Sequence, residues 1–416
     1  MSAARPFGTP EPFTVAVPDA ELDDLVARLR ATRWPGDAGN ADGSYGVRKT
    51  WLADLVRYWA EDFDWRAQEK LINQFPQYRV DIAGTPIHFL HVRGKGPDPV
   101  PIILSHGWPW TFWDWRKVIG PLTDPAAYGG DPGDSFDVVV PSMPGFGFST
   151  PLTDTGFGAR KIAEYWHTLM HDVLGYERYA VGGGDWGSTT SGEIAHGFPE
   201  NVIGAWLTLP NVPGVRLWDV TEADFDPGER WMVEQAARAR PTIMSHSTVH
   251  RTEPQTIAYA LTDSPAGLAG WILGRRRDWG DWKTGDGSDE DFFALFDRDF
   301  LCTTASIYWF TGSIGSSVRI YHEHYDNGAP PPPRHERRPT IEVPTAFAVF
   351  PKELLLLPRK VAAEAVNLQR WTVMPTGGHY PPAEQPELVV TELREFFGDL
   401  RRPAPPDPTS QDKDVE

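Results

Sequence analysis

The chain has 416 residues and a formal net charge of −18, from 57 acidic and 39 basic side chains; that balance argues against a nucleic-acid or anionic-membrane partner and suits a solvated surface. A single cysteine, Cys302, excludes an intramolecular disulfide and a cysteine-based metal cluster. Residues 1–6 lack the apolar segment of a signal peptide and no run reaches the ~20 apolar residues that span a bilayer, so a soluble, cytoplasmic protein is expected.

In chain order, residues 18–34 read as a helix, with Asp19 as cap, Leu22, Leu25, Val26 and Leu29 at helical spacing, and Trp34-Pro35 as stop. A second helical pattern covers 50–65. Residues 78–82 and 87–92 read as strands joined by Ala83-Gly84-Thr85-Pro86, a hairpin signal. Short apolar runs at 100–104, 138–140, 179–181 and 202–207 alternate with helical stretches, the signature of a parallel sheet with crossover helices. The alternation lapses over 211–340, where helical patterns fall near 229–240, 254–274 and 289–326 and a proline run covers 330–333. Strand-like sequence returns at 346–350 and 371–374, and 387–397 fits a last helix. The expected organisation is an N-terminal extension with the first strands (1–95), a core in two parts (96–210 and 341–401), a helical lid between them (211–340) and a mobile tail (402–416).

The chemistry concentrates at the ends of the apolar runs. After Tyr179-Ala180-Val181 comes Gly183-Gly184-Asp185-Trp186-Gly187, followed by a helix-compatible segment. A strand, a glycine-bracketed turn and a helix make the nucleophile elbow of α/β-hydrolases, with aspartate here in the serine position. The fold class expected is therefore an α/β-hydrolase fold: a mostly parallel central sheet flanked by helices, with an N-terminal extension and a mainly helical lid. A carboxylate gains little by attacking an ester carbonyl, because the product is an anhydride. Attack on an sp3 carbon bearing a strained oxygen or a halide gives an ordinary ester that water can hydrolyse. Downstream, Gly377-Gly378-His379-Tyr380 follows the 371–374 run and supplies a base; Glu353, after the 346–350 run, is the carboxylate chosen to orient it. Ser105-His106-Gly107-Trp108-Pro109 sits where this fold places one oxyanion-hole N–H, so Trp108 and Trp186 are the expected donors, with His106 bracing the loop. Residues 141–149 are expected to shape the pocket floor. An epoxide oxygen also needs a proton, for which Tyr308, Tyr321 and Tyr325 of the lid are candidates.

Taken together these residues resemble the epoxide hydrolase family typified by the microsomal enzyme. The resemblance covers roughly residues 10–400. It rests on Leu22-Asp23-Asp24-Leu25 through Thr32-Arg33-Trp34-Pro35, His106-Gly107-Trp108-Pro109, Pro144-Gly145-Phe146-Gly147-Phe148-Ser149 and Gly183-Gly184-Asp185-Trp186-Gly187. Leu261-Thr262-Asp263-Ser264-Pro265-Ala266-Gly267-Leu268 and Gly377-Gly378-His379 complete it. It implies Asp185 as nucleophile, His379 as base, Glu353 as its acid partner, Tyr321 as a lid proton donor, and no cofactor or metal. The family's second lid tyrosine is missing. Counting eight residues back from Pro254 reaches His246, with His250 one turn further on as the alternative. A histidine of ordinary pKa there would make activity pH-sensitive. The expected partners are an apolar, aromatic or polycyclic epoxide and water, and a homo-oligomer is compatible with the composition. Competing readings are a haloalkane dehalogenase-like enzyme, an epoxide-acting cyclase, and a non-catalytic binder of a small ligand.

Overall fold

The computed structural model describes residues 7–283, 288–325 and 329–401. Among the described residues nine strands make one sheet: β1 (Glu11–Pro12), β2 (Gln77–Ile82), β3 (Thr85–Val92), β4 (Val100–Ser105), β5 (Phe136–Pro141), β6 (Tyr179–Gly183), β7 (Val202–Leu207), β8 (Ile341–Val349) and β9 (Val366–Val373). Their spatial order is β1-β2-β3-β5-β4-β6-β7-β8-β9. From β1 to β5 across β2 and β3 the pairs are antiparallel; from β5 onward they are parallel. Helices cover both faces of a parallel sheet, so its strands are buried on both sides, and β5 and β6 are buried throughout. Strand β4 lies between β5 and β6, so the chain leaves it toward one side and later returns on the other. The crevice at the carboxyl ends of such a switch point is where ligands bind in open α/β sheets. Here those ends are Ser105 and Gly183, which are paired in register.

The helices of the N-terminal part and the core are α1 (Asp19–Arg30), α2 (Lys49–Glu61), α3 (Trp65–Ile72), α4 (Arg116–Thr123), α5 (Ala159–His167) and α6 (Trp186–Gly197). Between β7 and β8 come α7 (Arg230–Thr252), α8 (Pro254–Asp263), α9 (Pro265–Trp279), α10 (Asp289–Leu295), α11 (Arg298–Thr311) and α12 (Ile314–His324). Last are α13 (Arg359–Ala365), α14 (Pro381–Glu384) and α15 (Pro386–Arg401). The N-terminal helices hold the lid helices from outside. Trp59 Nε1 donates to Ser306 Oγ at 2.9 Å, the Tyr58 hydroxyl donates to Asp299 at 2.8 Å, and Arg48 pairs with Asp289 at 2.5 Å.

Several sequence expectations change. The 50–65 pattern stops at Glu61, because Asp64 caps a separate helix by accepting the Ala67 N–H at 3.1 Å. Pro18, not Asp19, precedes the first helix, and Asp19 is its first residue. The 289–326 stretch is three helices, divided by Asp297, which caps α11 through the Phe300 N–H at 2.7 Å, and by Gly312 at the helix end. In the other direction, α7 runs on through Pro241 to Thr252. Proline removes one backbone bond, but the buried face formed by Met232, Gln235, Ala239, His246 and His250 carries the helix past it. Strands β8 and β9 begin at Ile341 and Val366, earlier than their most apolar stretches. The expected tail, 402–416, lies outside the described residues. Among the described residues no helix is long and apolar enough to cross a membrane.

Candidate active site

Asp185 is the residue between β6 and α6, with φ 52° and ψ −128°. A non-glycine residue at positive φ stores about 1–3 kcal/mol of strain, held only where the surroundings over-determine it. Gly187 is part of that constraint. A Cβ there would stand 2.1 Å from the Ser105 carbonyl oxygen and 2.8 Å from that of His106, both backbone atoms that cannot swing aside. Gly187→Ala should therefore separate β4 from α6. We expect it to lower stability by about 2 kcal/mol or more, read as a fall in the thermal unfolding midpoint, with loss of activity.

The loop after β4 faces the elbow. The Trp108 N–H donates to Asp185 Oδ1 at 2.8 Å. Trp186 opens α6, so its N–H has no carbonyl within the helix to bond. His106 braces this loop: its Nε2 accepts the Met143 N–H at 3.0 Å and its Nδ1 therefore donates to the Gly107 carbonyl at 2.9 Å. Burial pushes the His106 pKa down to about 4, so it stays neutral.

His379 and Glu353 come from the loops after β9 and β8, and both side chains are fully buried. His379 Nδ1 lies 2.6 Å from Glu353 Oε1, and His379 Nε2 lies 3.3 Å from Asp185 Oδ2. The imidazole thus bridges two carboxylates. Burial opposes its charge, but Glu353 and Asp185 together outweigh burial and raise its pKa to about 10.

Above Asp185 stands the lid. Tyr321 on α12 and His246 on α7 meet with 3.0 Å between the hydroxyl and Nε2. The His246 ring stacks on Trp108, centroids 5.1 Å apart, and its Nδ1 is 3.3 Å from the Thr242 carbonyl. With Nδ1–H on that carbonyl, Nε2 accepts a hydrogen bond from the Tyr321 hydroxyl. Burial pushes the His246 pKa down to about 3, which corrects the expectation of a titration near neutrality. Burial also raises Tyr321 well above the ordinary phenol, and the nearby Asp185 charge adds to this. His250 is placed differently: its Nε2 accepts from Trp271 Nε1 at 3.0 Å. Tyr308 is committed to the Trp110 carbonyl at 2.8 Å, whereas Tyr325 lines the cavity.

That cavity, about 620 Å³, is bounded by Asp185, Trp186, His246 and Tyr321 and by apolar side chains including Leu209, Phe225, Met244 and Leu355. A larger cavity of about 780 Å³ lies between the lid and residues 41–48 and does not reach Asp185. Residues 141–149 do not line the catalytic cavity. They tuck beneath α12, where Ser316 Oγ donates to the Gly145 carbonyl at 2.5 Å. Sequence reasoning missed Trp279. It walls the cavity, packs edge-on against His379 with centroids 5.2 Å apart, and accepts the His379 N–H through its carbonyl at 3.0 Å. Among 18 tryptophans nothing local distinguishes it.

Comparison with known proteins shows what the chain is similar to. Residues 10–115 match the family described as the epoxide hydrolase N terminus, and residues 100–255 match the alpha/beta hydrolase fold. A relative from Stigmatella aurantiaca is 38% identical over 395 residues, covering 94% of this chain and 85% of that protein. Epoxide hydrolase 1 of Sus scrofa is 34% identical over 412 residues, covering 94% of this chain and 89% of its own. The solved epoxide hydrolase of Aspergillus niger superposes with a TM-score of 0.77 at 29% identity, over 94% of this chain and 97% of that one. With matches of this extent over nearly its whole length, the chain belongs to the epoxide hydrolase family within the α/β-hydrolase superfamily.

Proposed function

We propose that this hydrolase opens an apolar epoxide through a covalent alkyl ester on Asp185. The observation that carries the reading is the double tether of that carboxylate. One oxygen is held by the Trp108 N–H and the other faces His379, while the residue also lines an apolar cavity under a tyrosine. In the first step an Asp185 oxygen bonds to an epoxide carbon and the carbon–oxygen bond breaks. The departing oxygen keeps the electron pair and takes the Tyr321 proton. A buried phenol with a raised pKa resists ionisation until an alkoxide is there to be protonated, and its O–H then turns from His246 Nε2 to the departing oxygen. In the second step His379 Nε2 removes a proton from water as the water oxygen adds to the ester carbonyl carbon. The N–H groups of Trp108 and Trp186 stabilise the oxyanion, and Glu353 stabilises the imidazolium. On collapse the expelled alkoxide takes the proton of the added hydroxyl, so the vicinal diol leaves and the carboxylate is restored, and the proton held by His379 returns to Tyr321.

The aliphatic and aromatic lining favours a substrate with a sizeable apolar body. Displacement of halide would need no acid, so the tyrosine over Asp185 favours the epoxide reading. Assay with a panel of aryl and alkyl epoxides and haloalkanes tests this: diol production supports it, and halide release without epoxide opening contradicts it. Tyr321→Phe should slow ester formation by about 10²-fold or more and leave ester hydrolysis near the unaltered rate, as rapid-quench kinetics would resolve.

A further inference from the structure

His379 hangs from a loop whose backbone is held almost entirely by two carboxylates and one carbonyl. The N–H groups of residues 377–380 are all bonded. Gly377 N–H donates to Asp281 Oδ2 at 2.9 Å, Gly378 N–H to Glu384 Oε2 at 2.8 Å, His379 N–H to the Trp279 carbonyl at 3.0 Å, and Tyr380 N–H to Glu384 Oε1 at 2.7 Å. Glu384 thus grips the base from both sides, using one oxygen for each neighbour. Its Oε2 also accepts the Asp281 N–H at 2.8 Å, and Asp281 Oδ2 accepts the Thr376 hydroxyl at 2.9 Å. Trp279 and Asp281 belong to the end of lid helix α9 and the segment just beyond it. The approach is close enough that a Cβ on Gly378 would lie 2.5 Å from the Trp279 carbonyl oxygen. Glu384 is 6% exposed, and a carboxylate is taken out of water at a cost that three N–H donors offset.

We infer that Glu384 and Asp281 are positioning residues for His379, a clamp that ties the placement of the base to the seating of the lid. Both are silent in the first chemical step, which uses Asp185 and Tyr321. The inference rests on the proposed ester route, in which His379 acts in the second step. Neutral glutamine at 384 keeps one acceptor oxygen. Its NH2 group must then face either the Tyr380 N–H, or the Gly378 and Asp281 N–H groups together. One side of the base is released in either orientation.

The test uses the full chain and radiolabelled styrene oxide in rapid-quench single turnovers, counting protein-bound label as ester. In Glu384→Gln and in Asp281→Ala, ester hydrolysis should slow by about 10- to 100-fold while ester formation stays within about threefold, so that kcat and KM fall together. Folded variants that hydrolyse the ester at the unaltered rate, or that slow both steps alike, would overturn the inference. Asp281→Ala removes only two of the loop's bonds, so it decides the matter if the other variant does not fold. If the unaltered enzyme acquires no label while making diol, the ester route itself fails, which is a separate outcome.

Discussion

Asp185→Asn should abolish diol formation, with a loss of about 10⁴-fold or more and no protein-bound ester. An amide is a poor nucleophile, but asparagine has the size of aspartate and keeps an oxygen for the Trp108 N–H, so the strained elbow should persist. The substitution carries a second, independent readout. Burial alone would push the His379 imidazole below its ordinary pKa; Glu353 and Asp185 overcome that and hold it near 10. Removing the Asp185 charge removes support for the imidazolium, so the His379 pKa should fall below about 10 in the variant, as a titration followed by NMR would show. Esterification cancels the same charge during catalysis. The proposed cycle therefore lowers the His379 pKa once the ester has formed, which shifts the imidazole from the charged form to the neutral form that can take a proton from water when a base is required. An unchanged His379 pKa in the variant would count against the coupling.

His379→Gln should separate the two steps. Glutamine cannot accept the water proton, so ester hydrolysis should slow by about 10²- to 10⁴-fold while Asp185 is still alkylated. The expected trace is a stoichiometric burst of epoxide consumption followed by near-arrest, with the substrate's mass added to the tryptic peptide that contains Asp185. A variant that consumes epoxide steadily, or one that never consumes it, would contradict the assignment. Glu353 supports the base from behind at 2.6 Å and also accepts the Leu354 N–H at 2.6 Å, so it is itself anchored by its own loop.

How much of this was legible in the sequence depended on how local each signal was. The apolar runs marked the parallel strands because β4 to β7 are buried on both faces, which leaves few residue types acceptable. The elbow and the loops after β8 and β9 were legible for the same reason: a short strand ends, and the chemistry follows within a few residues. Helix limits inside the lid were less legible. The helical pattern near 229–240 ends before Pro241, yet tertiary packing carries α7 across it, and this continuation places His246 against Tyr321. The sequence offered a histidine of ordinary pKa there, whereas burial makes it a neutral partner. Residues 141–149 looked like pocket floor because they follow a strand end, but contact with α12 turns them away from the cavity. The grip of Asp281 and Glu384 was not legible at all. Neither residue carries a local pattern, and the bonds that tie Asp281 to Glu384, Thr376 and Gly377 join segments about a hundred residues apart.

The most direct measurement is a single turnover with enzyme in excess in 18O-labelled water. The account predicts that the diol leaves with unlabelled oxygen taken from Asp185 and that the label appears in the Asp185 carboxylate, found by mass spectrometry of its peptide. Label in the diol, with Asp185 unlabelled, would mean that water attacks the epoxide directly and would contradict the covalent route.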